Sequence, residues 1–193
     1  MLSIISTIYT VTGVLYTFFA GKGKVFCYFF GLISTLCYSY LALKNNLLGN
    51  FLLNISYYLP MQIIGIFLWK KHLKKDKKEI IKTKLNKKKF RILCIVTFII
   101  TVTTILILKL TSDKYPILDG ITTILSITGM YLTVRRCIEQ WCIWIIVNLL
   151  TIIMWLKVAL TNPQTFPTII VWTIYLYLGI HFYLKWKKEL DNQ

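Results

Sequence analysis

The sequence predicts an all-α integral membrane protein of seven transmembrane helices. Three observations predict it. Of 193 residues, 56% are hydrophobic and only 16% charged, with a mean hydropathy of +0.64. Soluble domains carry about a quarter charged residues. The apolar residues fall in blocks of roughly 17–21, the length that crosses a hydrocarbon core about 30 Å thick. Within a block they do not alternate with polar residues, so helices rather than a barrel satisfy the backbone in lipid.

The spans run over residues 2–19, 25–43, 49–69, 92–108, 117–134, 141–160 and 167–186. Gly21 and Gly23 break the chain after the first span, and Asn45 and Asn46 after the second. Pro116 opens the fifth, while Pro163 and Pro167 bracket the loop before the last. No basic region precedes the first apolar block and no small-residue cleavage site follows it. That span is therefore expected to remain in the mature protein.

Charge sets the expected orientation. The net charge is +16, and twelve of the 23 basic residues lie in one loop, 70–91. With that loop in the cytoplasm, nineteen Lys and Arg fall inside and four outside: Lys44, Lys109, Lys114 and Lys157. The N-terminus is then outside and the C-terminus cytoplasmic in a multi-pass protein, and the high Lys, Ile and Asn content points to a bacterium, hence its inner membrane. A basic run at a membrane faces anionic lipid headgroups. With no groove-reading module, nucleic acid is not an expected partner. The cysteines Cys27, Cys37, Cys94, Cys137 and Cys142 contain no CxxC pair. They are read as small buried side chains, with no metal site or cofactor expected.

Four regions follow: a first three-helix bundle (1–69), a basic cytoplasmic loop (70–91), a linker helix (92–110) and a second three-helix bundle with a short tail (111–193). A shift of 117 residues lays the first bundle on the second. Tyr58 then meets Tyr175, Trp69 meets Trp186, Gly31 meets Asn148 and Gln62 meets Gly179. A three-helix unit repeated directly would be upside down; one intervening helix restores its direction. The plan is a 3+1+3 parallel repeat of the kind seen in SWEET-like sugar-transporter bundles.

Soluble catalytic signatures are absent, and Gly21–Lys24 lacks the phosphate-loop spacing. Of seven acids, only Asp119 and Glu139 come near a span, both at helix ends, as gate or cap. Catalysis at depth needs acids, His or a nucleophile pair, so an enzyme is not expected. His181, in the last span, reads as an interfacial residue rather than a proton site, which favours downhill facilitation.

What the spans do hold is amides and aromatics on particular faces. Trp141, Trp144, Asn148, Thr151 and Trp155 recur at helical steps on the sixth span. The third carries Asn50, Asn54, Tyr58, Gln62, Gly65 and Trp69; the fifth, Asp119, Ser126 and Gly129; the seventh, Trp172, Tyr175 and Gly179. Trp69 and Trp186 are read as interfacial anchors. An amide left in lipid costs several kcal/mol, so Asn148 and Gln62 are expected to face inward, at equal depth. Their repeat partners are glycines, and a polar group opposite open space suits an asymmetric ligand between the halves. Mid-span Pro60 is read as a hinge or a static kink.

These stripes carry a resemblance. Trp141, Trp144 and Asn148 fit the WxxWxxx[N/D] motif of the PnuC family of vitamin transporters. The segments around Asp119–Ser126 and Arg136–Trp141 are similar to that family's second half. Asn54, Tyr57, Tyr58, Pro60, Gln62 and Gly65 resemble its first half; the family often has an aromatic after that glycine, where this chain has Ile66. The resemblance implies import of nicotinamide riboside, an NAD precursor, by facilitated diffusion with alternating access and later cytoplasmic phosphorylation. It points to Trp141, Trp144, Asn148, Gln62, Asn54, Tyr58, Ser126 and Tyr175 as the binding residues. Indole faces attract a desolvated pyridinium by about 2 kcal/mol, and an amide pairs with a carboxamide or a hydroxyl. A thiamine carrier of the same fold and a non-transporting sensor or scaffold are the alternatives. Oligomeric state is left open, with a homo-oligomer among the options.

Overall fold

The computed structural model describes residues 2–45, 47–76, 78–111 and 115–192. The loop positions Asn46 and Lys114 lie outside the described residues. Among those described, seven helical segments are long and apolar enough to cross a membrane. They are α1 (Leu2–Gly21), α2 (Cys27–Lys44), a third made of α3 (Leu48–Leu53), a π-helical turn (Asn54–Tyr58) and α4 (Leu59–Lys71), then α5 (Lys87–Leu108), α6 (Pro116–Val134), α7 (Glu139–Ala159) and α8 (Phe166–Asp191). Threonine hydroxyls on α1 donate to carbonyls of their own helix: Thr7 to Ser3, Thr10 to Ser6 and Thr17 to Gly13. A hydroxyl satisfied this way can face lipid.

Two helix ends depart from the apolar pattern. Lys70 and Lys71 belong to α4, and α5 starts at Lys87, ahead of the apolar run read as 92–108. The reason is a cap. Asn86 is extended, and its Oδ1 accepts from the Lys89 N–H at 2.8 Å, which starts the helix inside the lysine run. The basic loop therefore runs from His72 to Asn86 rather than over 70–91.

The chain forms two compact units, residues 1–82 with 133–136, and residues 83–132 with 137–193. In the first, α1 packs on α2. Ser34 Oγ donates to the Tyr9 carbonyl at 3.2 Å, and the Tyr9 and Tyr38 rings lie 5.1 Å apart. The α1–α2 turn is a Schellman cap: Lys24 N bonds Phe19 O at 3.0 Å, Gly23 N bonds Ala20 O at 2.9 Å, and Gly23 takes φ +67°. Onto this turn the basic loop is pinned, with Ile80 N donating to Gly23 O at 2.9 Å. Ile80 is fully buried there. In the second unit α7 packs on α8, and Thr97 of α5 meets Thr128 of α6 at 3.2 Å.

The end of α6 uses the same cap without a glycine. Arg136 N bonds Thr133 O at 2.9 Å, Cys137 N bonds Leu132 O at 3.0 Å, and Arg136 takes φ +62°. A left-handed conformation costs a non-glycine residue about 1–2 kcal/mol. The guanidinium helps offset that cost by donating to the Ile81 carbonyl at 2.7 Å. Arg136→Gly relieves the strain and Arg136→Ala does not, although both lose the side chain. Thermal unfolding should therefore find the alanine variant less stable than the glycine variant by about 1 kcal/mol; equal stabilities would refute the strain.

Trp69 and Trp186 are not interfacial anchors. Both are fully buried. The Trp69 indole N–H donates to the Thr133 carbonyl at 3.0 Å, and its ring meets Tyr28 edge-on at 5.0 Å. Trp186 meets Trp141 edge-on at 5.6 Å. Each indole is a packing residue of its own unit, because a helix-end tryptophan with inward partners gains more from burial than from headgroups.

Candidate functional site

In the first unit the third span is not a regular helix. Its π turn spans Asn54–Tyr58, just before Pro60. Proline supplies no N–H, and its ring clashes with the carbonyl four residues back in a regular helix. The wider turn, closed by Leu59 N on Asn54 O, accommodates it. There is a geometric consequence. Eight residues of ideal α-helix drift about 80° around the axis; the wider π turn removes much of that drift. Asn54 and Gln62 are accordingly both buried, at 8% and 5% exposure, while Asn50, earlier in the same stripe, is exposed. The Asn54 amide nitrogen donates to the Asn50 carbonyl at 2.8 Å. Tyr58, half-buried, meets Tyr57 edge-on at 5.3 Å.

The contact between α2 and α4 is reciprocal. Tyr28 and Gly31 lie three residues apart on α2, as do Gln62 and Gly65 on α4. The Gln62 amide occupies the notch left by Gly31, and the Tyr28 ring occupies the notch left by Gly65. A Cβ at either glycine would collide with its occupant. The open space expected at Gly31 is thus taken by an amide of the same unit. Both side chains end on buried oxygens that make no hydrogen bond among the described residues, Gln62 Oε1 and Tyr28 Oη. Sequence does not single out Tyr28, since a tyrosine at a helix start looks like an interface residue. Its one signal is Gly65, far along the chain on another helix.

In the second unit α7 carries three of the expected residues on one side. Trp141 is 2% exposed, its ring 5.6 Å from Phe182, and its indole N–H has no hydrogen-bond partner among the described residues. Trp144 is half-buried against Gly129 of α6, where a Cβ would lie 3.0 Å from Trp144 Cε2. Ser126, half-buried, lies three residues before Gly129 on α6. Asn148 is 4% exposed. At Gly179 of α8 a Cβ would lie 3.3 Å from Ile145 Cγ1 and 3.9 Å from Asn148 Nδ2, so Ile145 takes the notch and Asn148 stands beside it at ordinary contact distance. Tyr175, four residues before Gly179, is half-buried beside Trp172 at 5.6 Å.

The two acids sit in first turns, Asp119 on α6 and Glu139 on α7, where a carboxylate is favoured by the helix dipole. Glu139 also braces the loop: its Oε1 accepts from Leu85 N at 3.0 Å and so fixes the chain that leads into α5. Beside it, Ile138 N donates to Thr83 O at 2.9 Å.

Comparisons with known proteins agree with this architecture. The family model for nicotinamide mononucleotide transporters matches residues 3–188. A nicotinamide riboside transporter PnuC of Neisseria mucosa is 34% identical over 189 residues, covering 95% of this chain and 72% of that protein. One of Haemophilus influenzae is 31% identical over 186 residues, covering 95% and 79%. A crystal structure of the vitamin B3 transporter PnuC superposes with a TM-score of 0.82 at 32% identity, covering 98% of this chain and 83% of that one. By sequence over nearly its whole length, and by fold, the chain belongs to the PnuC family of membrane transporters.

Proposed function

We propose that the chain imports nicotinamide riboside by facilitated diffusion with alternating access, later cytoplasmic phosphorylation keeping the product inside. The observation that carries this reading is the α7 face: two indoles and a buried amide, Trp141, Trp144 and Asn148, at steps of three and four. Indole faces suit the cationic pyridinium, and an amide both donates to and accepts from a carboxamide or ribose. Gln62, whose oxygen has no partner among the described residues, Asn54, Tyr58, Ser126 and Tyr175 are the other proposed contacts. Asp119 and Glu139 are proposed as gate residues at helix ends. The names of the relatives support the riboside as cargo.

The charge pattern favours the riboside over the mononucleotide. A phosphate calls for Arg or Lys in the site. Yet α6 has no basic residue, α7 has only Lys157 in its last turn, and those of α8 begin at Lys185. We read the three spans of each half as an internal repeat with α5 as linker, basic side in the cytoplasm of a bacterial inner membrane. The shared inner cap and the recurring amide–glycine pair support it. Uptake of labelled nicotinamide riboside, competed in turn by unlabelled riboside, mononucleotide, thiamine and riboflavin, tests the cargo. The riboside should compete at the lowest concentration, and thiamine winning would overturn the assignment.

A further inference from the structure

We propose that the α1–α2 end of the first unit is a seat for one anionic phospholipid, distinct from the cargo site. Four phenylalanines form a continuous ring surface there. Phe19 stacks on Phe30 at 5.4 Å and 8°, and Phe26 stacks on Phe29 at 5.4 Å and 8°. An edge contact between Phe26 and Phe30 at 5.1 Å joins the two stacks. The surface is open to the side: Phe26 and Phe29 are 55% and 53% exposed. Lys22 and Lys24 stand in the turn next to it, Lys24 exposed and Lys22 with its Nζ 4.2 Å from the centre of the Phe18 ring.

The fold adds charge that the sequence keeps distant. Ile80 N on Gly23 O fixes the basic loop beside this turn, and Lys74 N on Glu79 O at 2.7 Å closes its hairpin. That hairpin presents Lys75 and Lys78, both exposed. Its acids are engaged within it: Glu79 pairs with Lys74 at 3.5 Å, and Asp76 accepts from Lys78 N at 3.1 Å. Residues 1–75 contain seven lysines and no acidic residue. A cationic rim above an aromatic wall matches one molecule part by part, phosphate above and acyl chain below. An acidic soluble protein would find the lysines but would have no use for rings on the flank of a membrane helix.

The juxtaposition predicts selectivity. A lysine near an anionic leaflet strengthens attraction by about fivefold. Native mass spectrometry of the full chain, delipidated and then given phosphatidylglycerol or phosphatidylcholine, reads it directly. The unaltered chain should retain phosphatidylglycerol over phosphatidylcholine by more than about 25-fold, about fivefold for each of Lys22 and Lys24 before the hairpin lysines add to it. Lys22→Gln with Lys24→Gln should cut that ratio by about 25-fold, and Lys75→Gln with Lys78→Gln added should bring it close to one, with an unchanged unfolding temperature. Phe26→Ala with Phe29→Ala should lower retention of both lipids and leave the ratio intact. Equal retention by the unaltered chain, or a ratio that survives the lysine substitutions, would overturn the proposal. So would displacement of the lipid by glycerol 3-phosphate, which would make this a phosphate site.

Discussion

Asn148→Leu should weaken nicotinamide riboside binding by about 100-fold while the protein still folds. The side chains are close in volume, and the site is 4% exposed, so leucine keeps the packing and removes only the polar atoms. A ligand group left without its partner in a dry site costs about 1–3 kcal/mol. Two such losses from one amide reach about 3 kcal/mol, which is roughly the hundredfold. Gly179 carries no side chain beside the amide, and even a Cβ there would stand 3.9 Å from Asn148 Nδ2, so the leucine end needs only a small adjustment. Calorimetry on the purified variant, with its unfolding temperature alongside, checks both halves of the claim. Unchanged affinity would remove Asn148 from the site.

The glycines of the first unit should separate folding from recognition. At Gly65 a Cβ meets the rigid Tyr28 ring, which is fully buried and backed by Trp69 at 5.0 Å and Tyr16 at 6.1 Å. The ring has nowhere to go, and overpacking of this kind costs about 1–3 kcal/mol. At Gly31 the obstacle is the far end of a flexible side chain, the Gln62 amide, which can swing away. A Cβ at Gly49 would meet nothing within 4 Å among the described residues. Gly65→Ala should therefore lower the unfolding temperature clearly. Gly31→Ala should keep most of the stability but lose uptake through a displaced amide. Gly49→Ala should be neutral or stabilising by up to about 1 kcal/mol, the gain of alanine over glycine in a helix. Thermal unfolding and uptake measured on all three decide the matter; a Gly65→Ala protein as stable as the parent would contradict the packing.

Much of the architecture was legible because lipid leaves few choices. A block of apolar residues long enough to span must be helical, and its position can be read directly. The errors fall where partners decide. Asn86 carries an ordinary capping side chain, but the lysines after it hid the start of α5 inside the membrane-surface charge. Trp69 and Trp186 looked like anchors because sequence shows that an indole lies near a helix end, not which way it points. Gly31 looked like space because its occupant, Gln62, is 31 residues away in sequence and comes from the neighbouring helix. Tyr28 was invisible for the same reason. The stripe on the third span was drawn on a regular helix, and only the π turn before Pro60 brings Asn54 and Gln62 to one buried side.

This chain alone should let nicotinamide riboside equilibrate across a membrane. Purified protein in sealed liposomes, with labelled riboside outside and no ion gradient, puts that to a direct test. The label should enter until inside and outside concentrations match, and preloaded unlabelled riboside should accelerate its entry. Liposomes that never fill, or that fill only when a proton or sodium gradient is imposed, would contradict a facilitative carrier.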